Sequence, residues 1–175
     1  MASDESEKMY DLLKRLRFDN STGELTEPEL GDVLIFLSFS FRNMVRWSAA
    51  KFGAGSAMIW YNIGRAAADP LLEPLGRMKK ERSQAEFVKL IDGYTTVMGW
   101  GRVTTTDFDF SKKTATVQVA NSALTRGIDK GYGCDFIRGY LSGLYEMVFE
   151  RKTFCEETLC EARGGRQCEF HLRAR

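Results

Sequence analysis

The four cysteines of this chain, Cys134, Cys155, Cys160 and Cys168, all fall in its last 42 residues, with Glu157 and His171 among them. Thiolates, an imidazole and a carboxylate gathered in one short stretch form the donor set that zinc prefers. Bringing such donors together limits how the chain can fold. Cys160 and Cys168 flank Gly164-Gly165 and converge at one end if the flanking segments pair as a hairpin. Cys134 precedes a run of helical spacing, so it reaches the same point from a helix start, where the helix dipole helps to hold a thiolate. The spacing is not the familiar pair of CxxC knuckles. On spacing alone, a zinc site and a set of small buried free thiols both account for these residues.

The redox setting bears on that choice. The opening residues MASDESEKMYDLL lack the basic start and apolar middle of a signal peptide. The longest apolar stretch, Val33 to Phe41, is broken by Ser38 and Ser40 and falls far short of the ~20 residues that span a bilayer. A cytoplasmic protein is expected, in which thiols stay reduced and serve metals before disulfides. The chain of 175 residues is long enough for one proper core. A domain near this size buries about 70% of its unfolded surface and needs no metal merely to fold. A formal net charge of +1, with no basic stripe or acidic tail, gives no sign of a nucleic-acid partner.

Upstream, the hydrophobic period divides the chain. Met9, Leu12, Leu13 and Leu16 suggest a short amphipathic helix over 1–16, and Asn20-Ser21-Thr22-Gly23 and Pro28 mark turns. The run from Asp32 to Gly53 reads as a short buried strand and then a helix from about Phe39 to Phe52, closed by Gly53. A second helix is expected from about Ser56 to Ala68, ending before Pro70, with residues 69–82 as a charged connecting loop. Ser83 and Glu86 form a capping-box pattern that opens a helix carrying Phe87, Leu90, Ile91, Tyr94, Val97 and Met98. The period then changes to alternation in RVTTTDFDF and KTATVQVAN, a β-hairpin. Helical spacing returns in DFIRGYLSGLYEMVFE, where Gly139, Ser142 and Gly143 permit close approach to another element. Two strands, near 152–158 and 167–173, finish the chain. Helices first, then hairpins around a helix, predict an α+β fold with an antiparallel sheet. Residues 1–32 read as an extension and 33–175 as one domain.

The segment from Cys134 onward resembles the 4-vinyl reductase domain. The shared pattern is a cysteine, a glycine-containing helix, a glutamate and cysteine three apart, a glycine turn, and a last cysteine followed by an aromatic. Here those parts are Cys134, DFIRGYLSGLYEMVFE, Glu157 with Cys160, EARGGRQ, and Cys168 before Phe170. AAKFGAGSAMIWYNIGR is also similar to the family's helix-Gly-helix region, and the glycine turn before RVTTTDFDF fits as well. The likeness covers roughly residues 33–175 and is specific in the last 42. It implies the fold of the nitric-oxide-signalling and Golgi-transport ligand-binding domains, shared with phenol-sensing regulators and TRAPP subunits. It also implies zinc held by Cys134, Glu157, Cys160 and Cys168, a closed sphere and hence a structural ion. Cys155, an additional thiol on the same strand face as Glu157, is the rival ligand. His171 is a weaker competitor, since Phe170 and Leu172 set it opposite the face of Cys168.

Several proteins of that wider group enclose an apolar ligand. The candidates here for lining such a pocket are Trp60, Tyr61, Tyr94, Met98, Trp100 and Phe108, although aromatic and methionine residues at helical spacing are usually plain core. The phenol sensors use a pocket histidine, whereas His171 belongs to the zinc cluster, which argues against that route and against a histidine-ligated haem. A reductase needs a hydride source, and Gly53-Ala-Gly55-Ser-Ala-Met58 lacks the third glycine and the preceding strand of a dinucleotide fingerprint. The expected function is a zinc-stabilised binding module for a small hydrophobic ligand, more a sensor or accessory protein than an enzyme. The alternatives are an accessory or reductase of tetrapyrrole metabolism and a TRAPP-like protein–protein adaptor. A homodimer is expected, since any output passes through a partner.

Overall fold

Ser83 shows how local chemistry sets an element boundary in this chain. Its side chain accepts a hydrogen bond from the Glu86 amide at 3.3 Å, while the Glu86 carboxylate accepts one from the Ser83 amide at 2.8 Å. Both otherwise orphaned donors at the helix start are thereby satisfied. The computed structural model describes residues 14–28, 31–128 and 134–175. Four helices lie among them: α1 (Ser38–Phe52), α2 (Gly55–Lys79), α3 (Gln84–Val97) and α4 (Cys134–Phe149). Seven strands accompany them: β1 (Arg17–Phe18), β2 (Leu25–Glu27), β3 (Gly31–Asp32), β4 (Arg102–Asp109), β5 (Thr114–Ala120), β6 (Thr153–Leu159) and β7 (Cys168–Ala174). The architecture is α+β with antiparallel sheets, as the period changes predict.

The main sheet has the order β4-β5-β7-β6, every pair antiparallel. Its register sets Val119 opposite Cys168, Val117 opposite Phe170, and Cys155 opposite Leu172. Those residues are buried on the inner face, while His171, on the alternate position of β7, is exposed. Helix α4 lies buried along most of its length, with Leu141, Leu144, Tyr145, Val148 and Phe149 in the core. Its glycines allow the approach expected of them. A Cβ at Gly139 would lie 1.9 Å from the Tyr61 carbonyl oxygen, and one at Gly64 of α2 would lie 2.0 Å from the Phe136 oxygen. The two backbones therefore touch where each carries glycine. Arg65 of α2 clamps Glu146 of α4 through two hydrogen bonds, at 2.9 and 2.7 Å.

Three expectations need correction. Helix α2 does not stop before Pro70 but runs through Pro70 and Pro74 to Lys79, so residues 69–79 are not a loop. Proline removes helical hydrogen bonds, but Ala68, Leu71, Leu75 and Met78 continue one core-facing stripe, and that burial holds the turns together. The short buried strand expected near Val33 is absent. The strand there is β3, and residues 33–37 are irregular, with Leu34 83% exposed. Its apolar run has no partner within the described chain, so pattern alone misplaces it. The segment 17–32, read only as turns, pairs as the small sheet β1-β2-β3 around a turn at Asp19–Gly23. The helix expected over 1–16 falls almost wholly outside the described residues. No helix among the described residues is long and apolar enough to cross a membrane.

Candidate metal centre and aromatic cluster

Three elements deliver four donors to one point. Cys134 is the first residue of α4, Glu157 lies late in β6, Cys160 begins the connection to β7, and Cys168 opens β7. Their donor atoms all lie within 4.8 Å of one another. Cys134 Sγ is 3.3 Å from Cys160 Sγ and 3.8 Å from Cys168 Sγ. Bonds of about 2.3 Å to a tetrahedral zinc place sulfurs about 3.8 Å apart, so the sulfur triangle is close to the size such an ion requires. The turn is built to this shape. A 3-10 turn over Glu161–Arg163 ends at Gly164 with φ 90°, and a Cβ on Gly165 would lie 2.8 Å from the Cys160 oxygen. The Glu161 amide donates to Cys168 Sγ at 3.4 Å.

The electrostatics match a site made for a cation. Hydrogen bonds from Cys134 and Cys168 draw the Cys160 thiol far below its ordinary range, whereas Cys134, donating and buried, is pushed far above it. Three packed thiols without a cation settle on one thiolate, because like charges in a low dielectric repel. Burial raises the Glu157 carboxyl to about 7. Arg163 holds its Oε2, but its Oε1 is buried and accepts no hydrogen bond. A buried carboxylate oxygen left bare among three thiols is the signature expected of a ligand position. The donor set of three sulfurs and one oxygen fits zinc, and would leave no open position for catalysis.

Cys155 is not among the four. It lies on the same face of β6, but two residues back along a strand is about 6.7 Å, and the longer Glu157 side chain spans what a thiol does not. Burial pushes the Cys155 thiol up, and its carbonyl oxygen accepts a hydrogen bond from Arg138 Nε at 3.3 Å. His171 stands on the outer face of the sheet, with Nε2 3.8 Å from Glu169.

The six pocket candidates separate. Trp60 and Trp100 meet in one aromatic cluster, with Phe136 between them. Phe41 sets its ring 5.1 Å from both Trp60 and Phe136, and Tyr140 packs 4.4 Å from Trp100. Trp60 Nε1 donates to Ser48 Oγ at 2.6 Å, which also contacts Ser56 Oγ at 2.8 Å. Tyr94 is buried, and burial raises its phenol to about 12. Tyr61 turns to α4, where its hydroxyl donates to Ser142 Oγ at 2.9 Å. Phe108 stacks on Phe149, with ring centres 5.8 Å apart. Met98 is 47% exposed, at the end of α3. A surface depression of about 410 Å³ on the small sheet, lined by Arg17, Phe18 and Thr26, includes none of the six. Phe41, Phe136 and Tyr140 complete the cluster and escape a reading of sequence. Phe136 and Tyr140 stand one helical turn apart, an aromatic pair that was the available signal.

Comparison with known proteins fits this geometry. Residues 116–174 match the 4-vinyl reductase domain, and the resemblance read from the cysteine pattern holds over that segment. The fold is that of the phenol-responsive sensory domain of the transcription activator PoxR, solved with phenol. The two share 16% identity at a TM-score of 0.82, over 99% of this chain and 92% of that one. A trafficking protein particle complex subunit 3 from Naegleria fowleri, covalently bound to palmitic acid, aligns at a TM-score of 0.62 and 16% identity, over 79% of this chain and 93% of that one. A haem protein of the H-NOX family aligns at 0.52 and 16%, over 82% and 74%. No curated protein matches the chain significantly.

Proposed function

We propose that this chain is a zinc-stabilised binding module for a small hydrophobic ligand, acting as a sensor or accessory protein. The aromatic cluster carries the ligand reading. Phe41 of α1, Trp60 of α2, Trp100 before β4, and Phe136 and Tyr140 of α4 converge from separate elements in a fold that encloses phenol in the PoxR sensory domain. The matching ligand is small, flat and largely apolar, with a polar group to meet a tryptophan or hydroxyl. The one histidine stands on the outer sheet face, so it takes no part in holding that ligand. Zinc, held by Cys134, Glu157, Cys160 and Cys168, is structural here and joins the terminal hairpin to α4.

A partner surface is favoured by a separate observation. Residues 34–63 expose Leu34, Ile35, Phe36, Phe39, Trp47 and Met58, with Trp47 60% accessible. Monomeric proteins rarely leave so much contiguous apolar surface in water. A second copy of the chain is the occupant this reading assigns, giving a homodimer; an adaptor role of the TRAPP kind is the alternative.

Native mass spectrometry with metal analysis, on protein prepared without chelators, tests each part. One zinc per chain and a dimer are expected, and a metal-free protein overturns the zinc assignment. Thermal-shift titration with phenol should give saturable stabilisation that is lost in Trp60→Ala. No response to phenol or palmitate, and no co-purifying organic mass, overturns the ligand reading. An absorbance band of a co-purifying tetrapyrrole would redirect it to that ligand class.

A further inference from the structure

Glu161 is joined to both regions described above. It immediately follows Cys160, and its own amide donates to Cys168 Sγ at 3.4 Å. Its carboxylate reaches away from the sulfurs. Oε1 accepts the Asn121 amide at 2.7 Å and Oε2 accepts the Ser122 amide at 3.0 Å. Two adjacent backbone donors on one carboxylate form a charge-assisted, two-point grip. Asn121 is held with φ 58°, a conformation that a non-glycine residue adopts only with support.

The segment gripped there leads to the aromatic cluster. The Ala123 amide donates to the Trp100 carbonyl at 3.0 Å, and Arg42 of α1 donates to the Ala123 carbonyl at 2.5 Å. Arg46 of α1 bonds the Gly127 carbonyl. Leu124 and Ile128 are buried in the core that contains Phe41, Trp60 and Phe136. Residues 121–128 are therefore fastened to the hairpin turn by one side chain, and to Trp100 and α1 by backbone groups.

We propose that Glu161 is a positioning residue that couples metal occupancy at the cysteine cluster to the placement of residues 121–128 beside Trp100. The cation balances the thiolates and fixes the Cys160–Cys168 turn. The Glu161 backbone, bonded to Cys168 Sγ, is then set so that its carboxylate meets both amides. Without the cation the thiols repel or protonate, the turn loosens, and the grip on Asn121 and Ser122 is lost. The inference rests on the metal reading and is separable from it.

Hydrogen-exchange mass spectrometry of the full chain, zinc-loaded and chelator-stripped, tests the coupling in the wild type, in Glu161→Ala and in Glu161→Gln. Zinc content is measured first. Stripping the wild type should raise exchange in the peptide spanning 119–126 about tenfold. Glu161→Ala should retain one zinc yet show that raised exchange when loaded, with little further change on stripping. Glu161→Gln, which keeps one acceptor oxygen, should lie between. A merely structural role would leave the two effects additive. A wild type that takes up no zinc overturns the metal reading and the coupling together. A zinc-loaded Glu161→Ala with wild-type exchange over 119–126, or an undiminished response to stripping, overturns the coupling alone.

Discussion

The terminal hairpin and the helical half of this protein are held by different means. In the hairpin, four donors within 4.8 Å converge through a tight turn, and the fixing residues are few and chemically distinctive. In the helical half, α2 and α4 meet at glycines, aromatic rings interlock from separate elements, and apolar side chains between residues 34 and 63 face outward. One region is finished within the chain. The other combines a closely packed interior with a surface suited to a partner. A metal donor set tolerates little variation in residue type, whereas an apolar interior accepts many combinations of similar volume. Chemistry is thus concentrated in the first region and shape in the second.

The largest expected effect sharpens that contrast from the hairpin side. Cys160→Ser should abolish zinc binding. At free zinc a thousandfold above Kd it should also cost about 4 kcal/mol, or roughly 10 °C in Tm. Calorimetry with and without chelator measures it, and a chelator-insensitive wild type would break the contrast. Next, Gly139→Ala sets a methyl against the Tyr61 carbonyl and should cost about 3 kcal/mol by denaturant unfolding, with zinc retained. Trp60→Phe removes the indole N–H from Ser48 and should cost about 1.5 kcal/mol, without altering metal content. The smallest is Ser83→Ala, which removes the α3 cap far from either site and should cost about 1 kcal/mol in the same unfolding assay. If Gly139→Ala or Trp60→Phe released zinc, the two regions would be a single unit.

How much could be read in advance followed from the range of each interaction. The α3 start was legible because a capping box acts over three residues. The β4–β5 hairpin and the terminal strands were legible because alternation and glycine turns are local. The end of α2 was not, because Leu71 and Leu75 find their partners only in the assembled core, and that burial outweighs two prolines. Nor was the strand expected near Val33, since an apolar run signals burial without saying against what. Among the pocket candidates, Trp60 and Trp100 share a cluster, while Phe108, Tyr61 and Met98 face elsewhere. Helical spacing gives a direction around one axis and nothing about which elements face it.

The sequence by itself determined the donor types, their place at a helix start and a hairpin turn, and the α+β alternation, because each depends on residue chemistry and short-range period. Tertiary structure alone decided that Glu157 reaches the cysteine sulfurs and Cys155 does not, since register and side-chain length settle it across three elements. It likewise decided which rings of distant segments meet, and that Glu161 spans from the sulfurs to Asn121 and Ser122. Such contacts join residues about 40 positions apart in the chain, and closing loops of that length leaves no local mark in the sequence.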